Sequence, residues 1–448
     1  MTKLIKQKEK VDLTEGKVLN VLLALAIPIM GSSLLQFTYN LIDMIWVGKL
    51  GSNAVASVGS SSLFINIGNA INSLVTIGTG ITVAHAVGRK DDDEVNGYIN
   101  AGIIINIILG LVFALVLIFA GKVLIGFLDL KNYEVERDSY IYLVINGPIL
   151  FFSFFNIMYT RIMGSFGNNK HAFRINTVGV ILNIILDPLC IYVFNMGVMG
   201  AAISTLIANI VMFILFRTRT RGVLRYKIGI KPELQKMTRI IKLGLPMAVQ
   251  RVLFTMINIF LAKIVAVFGS DAIAAQKVGG QIESVAYMVI GGFNTAVASF
   301  TGQNYGAKKF DRIKKGYYSA LLVGMIYSLI ITIVFLIFKK QLVEIFIKDS
   351  STVEIAMSSL QVVAFSQVFS AIEMISNGMF TGIGKPKIPA SISIVFTTLR
   401  IPFAWVLVKY FGISGVWISI AVTSIFKGLC SYAVYKVKLH RNFLNIKS

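Results

Sequence analysis

A near-continuous series of apolar segments is the feature of this sequence that most restricts its fold. Of the 448 residues, 56% are hydrophobic and only 14% are charged, so a soluble domain would lack its polar shell. A helix needs about 20 mainly apolar residues to cross the hydrocarbon core of a membrane. The sequence therefore predicts an all-α membrane protein whose twelve transmembrane helices lie at 18–46, 53–86, 96–120, 139–166, 172–193, 198–216, 240–268, 272–300, 316–338, 354–380, 388–410 and 414–435.

The basic residues are distributed unevenly between the loops. The chain carries 43 Lys and Arg against 21 Asp and Glu, and most of the basic residues lie at the two ends and in every second loop. Cytoplasmic loops of membrane proteins hold an excess of Lys and Arg. We therefore expect a multi-pass protein of the cell membrane with both termini in the cytoplasm. Charges in short loops between apolar segments do not indicate a nucleic-acid partner.

The two halves of the sequence repeat each other. Ile27-Pro28 matches Leu245-Pro246 at an offset of 218, and later motifs match at offsets of 217 and 215. Each half contains six predicted helices, so the repeat predicts two pseudo-symmetric six-helix bundles, as in transporters that work by alternating access. The predicted domains are an N-terminal bundle at 1–216, a cytoplasmic linker at 217–239 and a C-terminal bundle with its tail at 240–448.

Polar side chains interrupt the apolar segments of the first half. An ionisable residue costs roughly 2.5–3.5 kcal/mol at the centre of a membrane helix, so such residues usually face a cavity or a partner. Residues three, four or seven positions apart share one face of a helix. The residues that form such a polar cluster are Gln36, Tyr39, Asn40 and Asp43 on the first predicted helix, Asn183 and Asp187 on the fifth, and Thr205 on the sixth.

This polar cluster has no counterpart at the matching positions of the second half. The repeat places Leu261 opposite Asp43 and Ala404 opposite Asp187. Two carboxylates with an amide and a hydroxyl form an oxygen-rich site, which can hold a proton or a hard cation such as Na⁺. The alternative is structural: Asp43 lies at the outer end of its helix, and Asp187 caps a turn before Pro188.

Two carboxylates, Glu283 and Glu373, lie within predicted helices of the second half. We expect them to pair with an intramembrane Lys or Arg, for which Arg251, Lys263 and Arg400 are candidates, or to face water, because an unpaired charge is unfavourable at membrane depth. The alternative is a second contact for a proton or for a cationic substrate.

Pro28 lies inside the first predicted helix, fifteen residues before Asp43. Proline removes a backbone hydrogen bond and favours a kink. Pro28 is therefore a candidate hinge that responds to the charge of Asp43.

The sequence contains no recognisable catalytic or cofactor motif. The segment 378–386 lacks the spacing of a phosphate-binding loop, and Pro386 stands where that loop needs a hydroxyl. The three histidines are scattered, and the two cysteines form no metal-ligand spacing. We therefore expect neither an enzyme nor a cofactor, and an ion gradient as the source of energy.

These motifs resemble the multidrug and toxic compound extrusion (MATE) family, in particular its prokaryotic DinF-like branch. The resemblance extends from about Lys17 to Lys436 and is carried by YNLIDMIWVGKLG at 39–51, NIILDP at 183–188, GAAIST at 200–205, GQNYGAKK at 302–309 and GIGKPK at 382–387. It implies that the two bundles form a V-shaped central cleft. It also implies export of small organic compounds in exchange for H⁺ or Na⁺.

The resemblance further implies roles for individual residues. Asp43 and Asp187 would carry the coupling ion, and a proton or a sodium ion bound there would bend the first helix at Pro28. The other implied residues are Asn183 and Thr205, which complete the ion site, and Gln36, Tyr39 and Trp46, which line the cavity together with Asn40 of the same stripe. Relatives of the NorM type use a Glu of the seventh helix instead, in the region where this chain has Phe254.

The expected substrates are amphiphilic organic cations. The other expected partners are membrane lipids, without nucleic acid, and the protein is expected to act as a monomer. A flippase for a lipid-linked saccharide is the alternative, since Arg251, Lys263, Lys277 and Arg400 lie within predicted helices of the second half. A membrane scaffold or receptor that transports nothing would give no reason for the acidic cluster.

Overall fold

The computed structural model describes residues 12–440, except for 221, 225 and 231. The basic residues Arg221, Arg225 and Lys231 of the predicted linker therefore lie outside the described residues, as do 1–11 and 441–448. Within the described range the chain forms fifteen α-helices and two π-helical turns, Leu189–Val193 and Tyr435–His440, and no β-strand. The α-helices are α1 Val18–Gly48, α2 Ser52–Arg89, α3 Asp92–Gly126, α4 Tyr133–Ser165, α5 Asn169–Pro188, α6 Gly197–Arg219, α7 Leu234–Ala266, α8 Ser270–Gly306, α9 Phe310–Ile337, α10 Lys339–Glu344, α11 Ser350–Ala364, α12 Gln367–Gly382, α13 Lys387–Thr398, α14 Arg400–Phe411 and α15 Ser414–Val434.

Most of these helices are membrane spans by length and composition. Eleven stretches of the described chain are long and apolar enough to cross a membrane, and the α11–α12 pair gives a twelfth when it is counted as one span. The prediction of an all-α, multi-pass membrane protein is confirmed.

Two segments that the sequence analysis predicted as single helices are broken. The predicted helix 354–380 divides into α11 and α12, which are bent by 56°. At this break the side chains of Ser366 and Gln367 both donate to the carbonyl of Val363, in competition with the helical backbone pattern.

The predicted helix 388–410 divides into α13 and α14 at Leu399. Pro402 has no N–H group, so it cannot donate to the carbonyl of Thr398, the last residue of α13. The predicted segment is still one apolar span, Lys387–Phe411, and this missing donor accounts for the break within it.

Several helices begin at a side-chain cap. Asp91 accepts a hydrogen bond from the backbone N–H of Glu94 at 2.9 Å and begins α3, and Asn132 begins α4 in the same way. Asp349 begins α11 and accepts from the N–H and the hydroxyl of Thr352. Those two donors stabilise the ionised carboxylate and lower the pKa of Asp349 below its usual value.

Contacts divide the chain into two compact units. The first unit contains Gly31–Ala248, and the second contains Leu13–Met30 with the chain after Ala248. Helix α1 therefore contributes its first half to the second unit and its second half to the first unit. The change of unit between Met30 and Gly31 follows Pro28 by two residues.

The first unit is built around α4, which packs against α2, α3 and α6. Its largest buried side chains include Tyr159 and Phe216, and Ile240 of α7 belongs to the same core. Helices α2 and α7 approach each other through two glycines. A Cβ atom at Gly244 would lie 1.7 Å from the carbonyl oxygen of Leu74, and one at Gly78 would lie 2.1 Å from that of Ile240.

In the second unit, α12 packs against α8, α9 and α15. The turn that precedes α1 is fixed to this unit by charged donors. Lys309 donates to the carbonyl of Thr14 at 2.8 Å, and Arg312 donates to the carbonyls of Glu15 and Gly16 at 2.8 and 2.7 Å. Hydrogen bonds from charged donors are stronger than neutral ones. The beginning of α1 is therefore anchored to the second unit.

We expect Gly244→Ala to lower the melting temperature of the purified protein in detergent. The added methyl group collides with the backbone of α2, which cannot move away as a side chain could, and such overpacking destabilises by about 1–3 kcal/mol. Gly59→Ala is the matched control on α2, because nothing lies within 4 Å of a Cβ atom at Gly59. Equal melting temperatures for the two variants would contradict the close approach.

Candidate functional site

The polar stripe of α1 lies in the first unit. Gln36 donates to Asn40 at 3.3 Å, and both side chains are exposed. Tyr39 and Asp43, on the next turns, are partly buried. The stripe therefore runs from an accessible surface into the interior of the unit.

Asp187 lies at the end of α5, and its side chain is fully buried, with 0% exposed. Its Oδ1 atom accepts a hydrogen bond from Nδ2 of Asn183 at 3.0 Å and another from the hydroxyl of Ser204. Two side chains therefore hold this carboxylate, which argues against the alternative that Asp187 only caps a turn. Pro188 and the π-helical turn Leu189–Val193 follow directly, and such turns are frequent at functional sites.

Two adjacent residues of α6 connect α1 to α5. Thr205 donates its hydroxyl proton to the carbonyl of Ala201 at 2.9 Å, so its oxygen accepts from the hydroxyl of Tyr39, which lies 3.2 Å away. Ser204 contacts Asp187 of α5. Successive residues of a helix point in directions about 100° apart, so neighbouring hydroxyls can serve two different helices.

The two acids are brought together without direct contact. Asp43 and Asp187 lie within electrostatic range of each other in the first unit. One buried oxygen of each, Oδ1 of Asp43 and Oδ2 of Asp187, has no hydrogen-bond partner among the described residues. An ionised carboxylate oxygen buried without a donor is unfavourable. A proton or a metal cation would supply the missing contact.

The oxygen atoms around this pair suit a small hard cation. Asn183 uses its amide nitrogen on Asp187, which leaves its carbonyl oxygen available, and Thr205 offers a hydroxyl oxygen. Carboxylate, carbonyl and hydroxyl oxygens are the ligands that hard cations prefer. We call Asp43, Asn183, Asp187, Ser204 and Thr205 the acidic site.

Trp46 lies one turn beyond Asp43, on the side away from Tyr39. Its carbonyl accepts from the hydroxyl of Tyr192 at 2.5 Å, and the two rings form an edge-to-face pair at 6.0 Å. Lys49 lies over the indole ring at 4.4 Å. In the described structure Trp46 thus supports the end of α1, and its place in a substrate cavity stays a prediction.

Ser204 was not predicted as a site residue. Its motif was recognised, but of the two hydroxyl residues on this helix only Thr205 was assigned to the ion site. The signal was present, because Ser204 and Thr205 are consecutive hydroxyl residues on one helix. Tyr142 was also missed, and it lies within electrostatic range of both acids.

In the second unit, Glu373 pairs with an intramembrane basic residue, as expected. The partner is Lys427, at 3.2 Å, and not one of the three named candidates Arg251, Lys263 and Arg400. Arg251, Lys263 and Lys277, which supported a flippase, have exposed side chains, and no hydrogen bond or ion pair among the described residues links them to Arg400. A single basic cluster for a pyrophosphate is therefore not found in the part of the chain that the structure describes.

A double-mutant cycle tests the link between α1 and α6. We expect Tyr39→Phe and Thr205→Val each to lower the thermal stability, and their effects to be less than additive by about 0.6 kcal/mol, a usual coupling for a hydrogen bond within a membrane. The control cycle combines Tyr39→Phe with Thr218→Val, because Thr218 donates only to carbonyls of its own helix. Full additivity in the first cycle would show that the two hydroxyls do not interact.

Comparison with known proteins places these residues in a family. A family model described as MatE matches residues 28–189 and again 246–406. The two matches begin 218 residues apart, in agreement with the offset of the internal repeat.

Two curated relatives cover nearly the whole chain. A probable multidrug resistance protein NorM from Thermotoga maritima is 26% identical, over 91% of this chain and 89% of its own length. A probable multidrug resistance protein YpnP from Bacillus subtilis is also 26% identical, over 95% of this chain and 96% of its own length. Among solved structures, a transporter of the MOP superfamily from Pyrococcus furiosus has the same fold, with a TM-score of 0.92 at 23% identity, over 99% of this chain and 100% of that one.

Proposed function

This chain belongs to the MatE family, and we propose that it exports amphiphilic organic cations from the cell in exchange for an inward-moving proton or sodium ion. The observation that carries the proposal is the acidic site, in which two carboxyl groups each keep one buried oxygen without a partner. A site of this kind takes up a positive charge and gives it back.

The substrate class follows from the relatives and from the charge of the site. Both curated relatives described above are named as multidrug resistance proteins. A group of organic cations that differ in shape shares only a positive charge and an apolar body. The carboxylates would attract the positive charge. The 31 Phe and 16 Met of the chain suit an adaptable apolar surface for the apolar body.

Exchange arises because the ion and the substrate compete for the same negative charge. When Asp43 and Asp187 hold a cation, the site is neutral and attracts an organic cation weakly. When that cation leaves, the restored carboxylates attract the substrate. Such a coupling is reciprocal, so a bound substrate must weaken the binding of the ion by the same factor.

Helix α1 connects the acidic site to the second unit. Its beginning is anchored there by Lys309 and Arg312, while Tyr39 and Asp43 belong to the first unit. Pro28 leaves the carbonyl of Ala24 without its helical donor, which makes this turn easier to bend. We assign the hinge of α1 to this turn.

The orientation and location complete the proposal. The excess of Lys and Arg at the two ends and in alternate loops supports cytoplasmic termini in the cell membrane. In this proposal the substrate binds from the cytoplasm and is released outside the cell, while the coupling ion moves into the cytoplasm.

We expect Asp43→Asn and Asp187→Asn each to abolish ion-driven export, because an amide keeps the shape of the carboxyl group but cannot take up or release a charge. The measurement is efflux of ethidium from proteoliposomes, with a pH gradient and a sodium gradient imposed separately. The gradient that drives wild-type efflux identifies the coupling ion.

Asp129→Asn is the control for these variants. Asp129 lies at the surface with 69% of its side chain exposed, so its replacement should leave efflux unchanged. If either variant of the acidic pair transports at the wild-type rate under the same gradient, the assignment of the coupling site is wrong.

Pro28→Ala is expected to slow export while leaving substrate binding unchanged. Alanine restores the N–H group that can donate to the carbonyl of Ala24, so α1 becomes stiffer at the hinge without a change in the acidic site. Efflux rate and dye affinity are measured on the same preparation. Pro148→Ala, at a proline inside α4 of the first unit, is the control, and an equal loss of rate in both variants would argue against a hinge at Pro28.

A further inference from the structure

Four charged side chains of the second unit, Glu283, Glu373, Arg400 and Lys427, are linked by electrostatic interactions, and two of them form an ion pair. Lys427 of α15 and Glu373 of α12 form an ion pair at 3.2 Å, with 7% and 9% of their side chains exposed. This pair joins two helices that pack against each other. A structural role therefore accounts for Lys427 and Glu373.

Arg400 has hydroxyl partners but no acidic one. Its Nε atom donates to Thr423 and its Nη2 atom to Ser424, both at 3.0 Å. The third nitrogen, Nη1, has no hydrogen-bond partner in the described chain, and no carboxylate oxygen there lies within 4.0 Å of the guanidinium group. Arg400 is 6% exposed, so a buried positive charge keeps one free donor.

Glu283 of α8 is the complementary group. Its side chain is partly accessible, and it forms no hydrogen bond or ion pair with any described residue. It interacts electrostatically with Arg400 without touching it. Arg400 also interacts with Glu373, but that carboxylate is already in contact with Lys427. Among these four groups, Arg400 and Glu283 therefore have no oppositely charged partner in contact.

The internal repeat shows what is unusual about Arg400. At the offset of 217, Arg400 corresponds to Asn183 and Ala404 corresponds to Asp187. In the first unit, Asn183 donates to the carboxylate of Asp187. In the second unit, the cationic Arg400 stands at the position of the donor Asn183, and Ala404 stands at the position of the acceptor Asp187. Among the described residues, no carboxylate is in contact with this guanidinium, although Glu373 and Glu283 interact with it over a longer distance.

Packing alone does not explain this arrangement. A buried ion pair in contact recovers part of the free energy lost on leaving water, whereas two separated buried charges recover less of it. Guanidinium groups bind carboxylates in a planar, two-point geometry, and Arg400 keeps a donor free for such a contact.

We propose that Arg400 and Glu283 form a substrate subsite for zwitterionic amphiphiles, in which Arg400 binds a carboxylate of the substrate and Glu283 binds its cationic group. This inference rests on the proposed export function and adds a substrate class to it. Tyr287, one turn after Glu283 on α8, is partly accessible, and its hydroxyl donates to Ser370 at 3.3 Å. Its ring gives the subsite an aromatic wall for the apolar body of the substrate.

The subsite predicts selection between two molecules that differ only at the carboxylate. Rhodamine 19 is a zwitterion with a free carboxylate, and rhodamine 6G is its ethyl ester and a simple cation. Both carry the same aromatic cation for Glu283, and only the first carries a group for Arg400. The wild-type protein should therefore bind rhodamine 19 more tightly than rhodamine 6G.

The test measures binding of both dyes to the purified full-length protein in detergent, by fluorescence polarisation and without an ion gradient. Arg400→Gln should weaken the binding of rhodamine 19 by about tenfold and change that of rhodamine 6G by less than about twofold, since only the charged hydrogen bond is lost. Glu283→Gln should weaken the binding of both dyes. Lys409→Gln is the control, because it removes a positive charge from the exposed part of α14.

A parallel change for both dyes in Arg400→Gln, or no change for either, would overturn the proposal. If Arg400→Gln does not fold, Arg400→Lys takes its place, and that variant must keep part of the preference for rhodamine 19. Failure of the subsite is distinguishable from failure of the export function. Asp187→Asn should lose ion-driven efflux yet keep the wild-type ratio of the two affinities, because it lies in the other unit.

Discussion

The carboxylate of Asp187, held on one side and open on the other, is the constraint on which the rest of the account depends. Asn183 and Ser204 fix its Oδ1 atom, and its buried Oδ2 atom has no partner in the described chain. Both donors belong to helices that pack against each other, α5 and α6, so the open oxygen has a fixed direction. A buried group that is half satisfied is unfavourable for stability, and such groups are expected where function requires them.

The neighbouring hydroxyl extends this arrangement to a third helix. Ser204 contacts Asp187, and Thr205 contacts Tyr39 of α1, so one turn of α6 holds both sides of the acidic site. Thr205 holds α1 at Tyr39 in the first unit. Lys309 and Arg312 hold the turn that precedes α1 in the second unit. Between these attachments lies Pro28, the position where the helix is easiest to bend. Asp43 of the acidic site and the proposed hinge at Pro28 thus lie on the same helix.

Much of the fold could be predicted from the sequence, because apolar length and the positions of polar residues are local properties. All twelve predicted spans correspond to helical segments. Helical spacing selected Asp43, Asn183 and Asp187 as candidates, and Thr205 was added from the sixth predicted helix. The breaks at Ser366 and Leu399 were not predicted, since they depend on which donor reaches a carbonyl. The missing donor of Pro402 was visible in the sequence, whereas the side-chain competition at Val363 needed coordinates.

The partners of buried charges were also beyond the sequence. An intramembrane Lys or Arg was expected as the partner of Glu373, but the sequence could not select Lys427 among the candidates, because all of them lie on other helices and no local spacing relates them to Glu373. The same holds for Ser204, whose contact with Asp187 depends on the packing of α6 against α5. Local sequence patterns identify the polar and charged residues that are unfavourable to bury. Which of these residues contact each other depends on how the helices pack.

The most direct test of the account is the number of cations released when an organic cation binds. Calorimetric titration of tetraphenylphosphonium into the purified protein, in buffers of different ionisation enthalpy and with or without Na⁺, measures this number. The account predicts release of about one proton or one sodium ion for each bound tetraphenylphosphonium, because the ligands compete for one charge, and no release when Asp43 and Asp187 are both replaced by Asn. Binding to the wild-type protein that neither releases a proton nor depends on Na⁺ would contradict it.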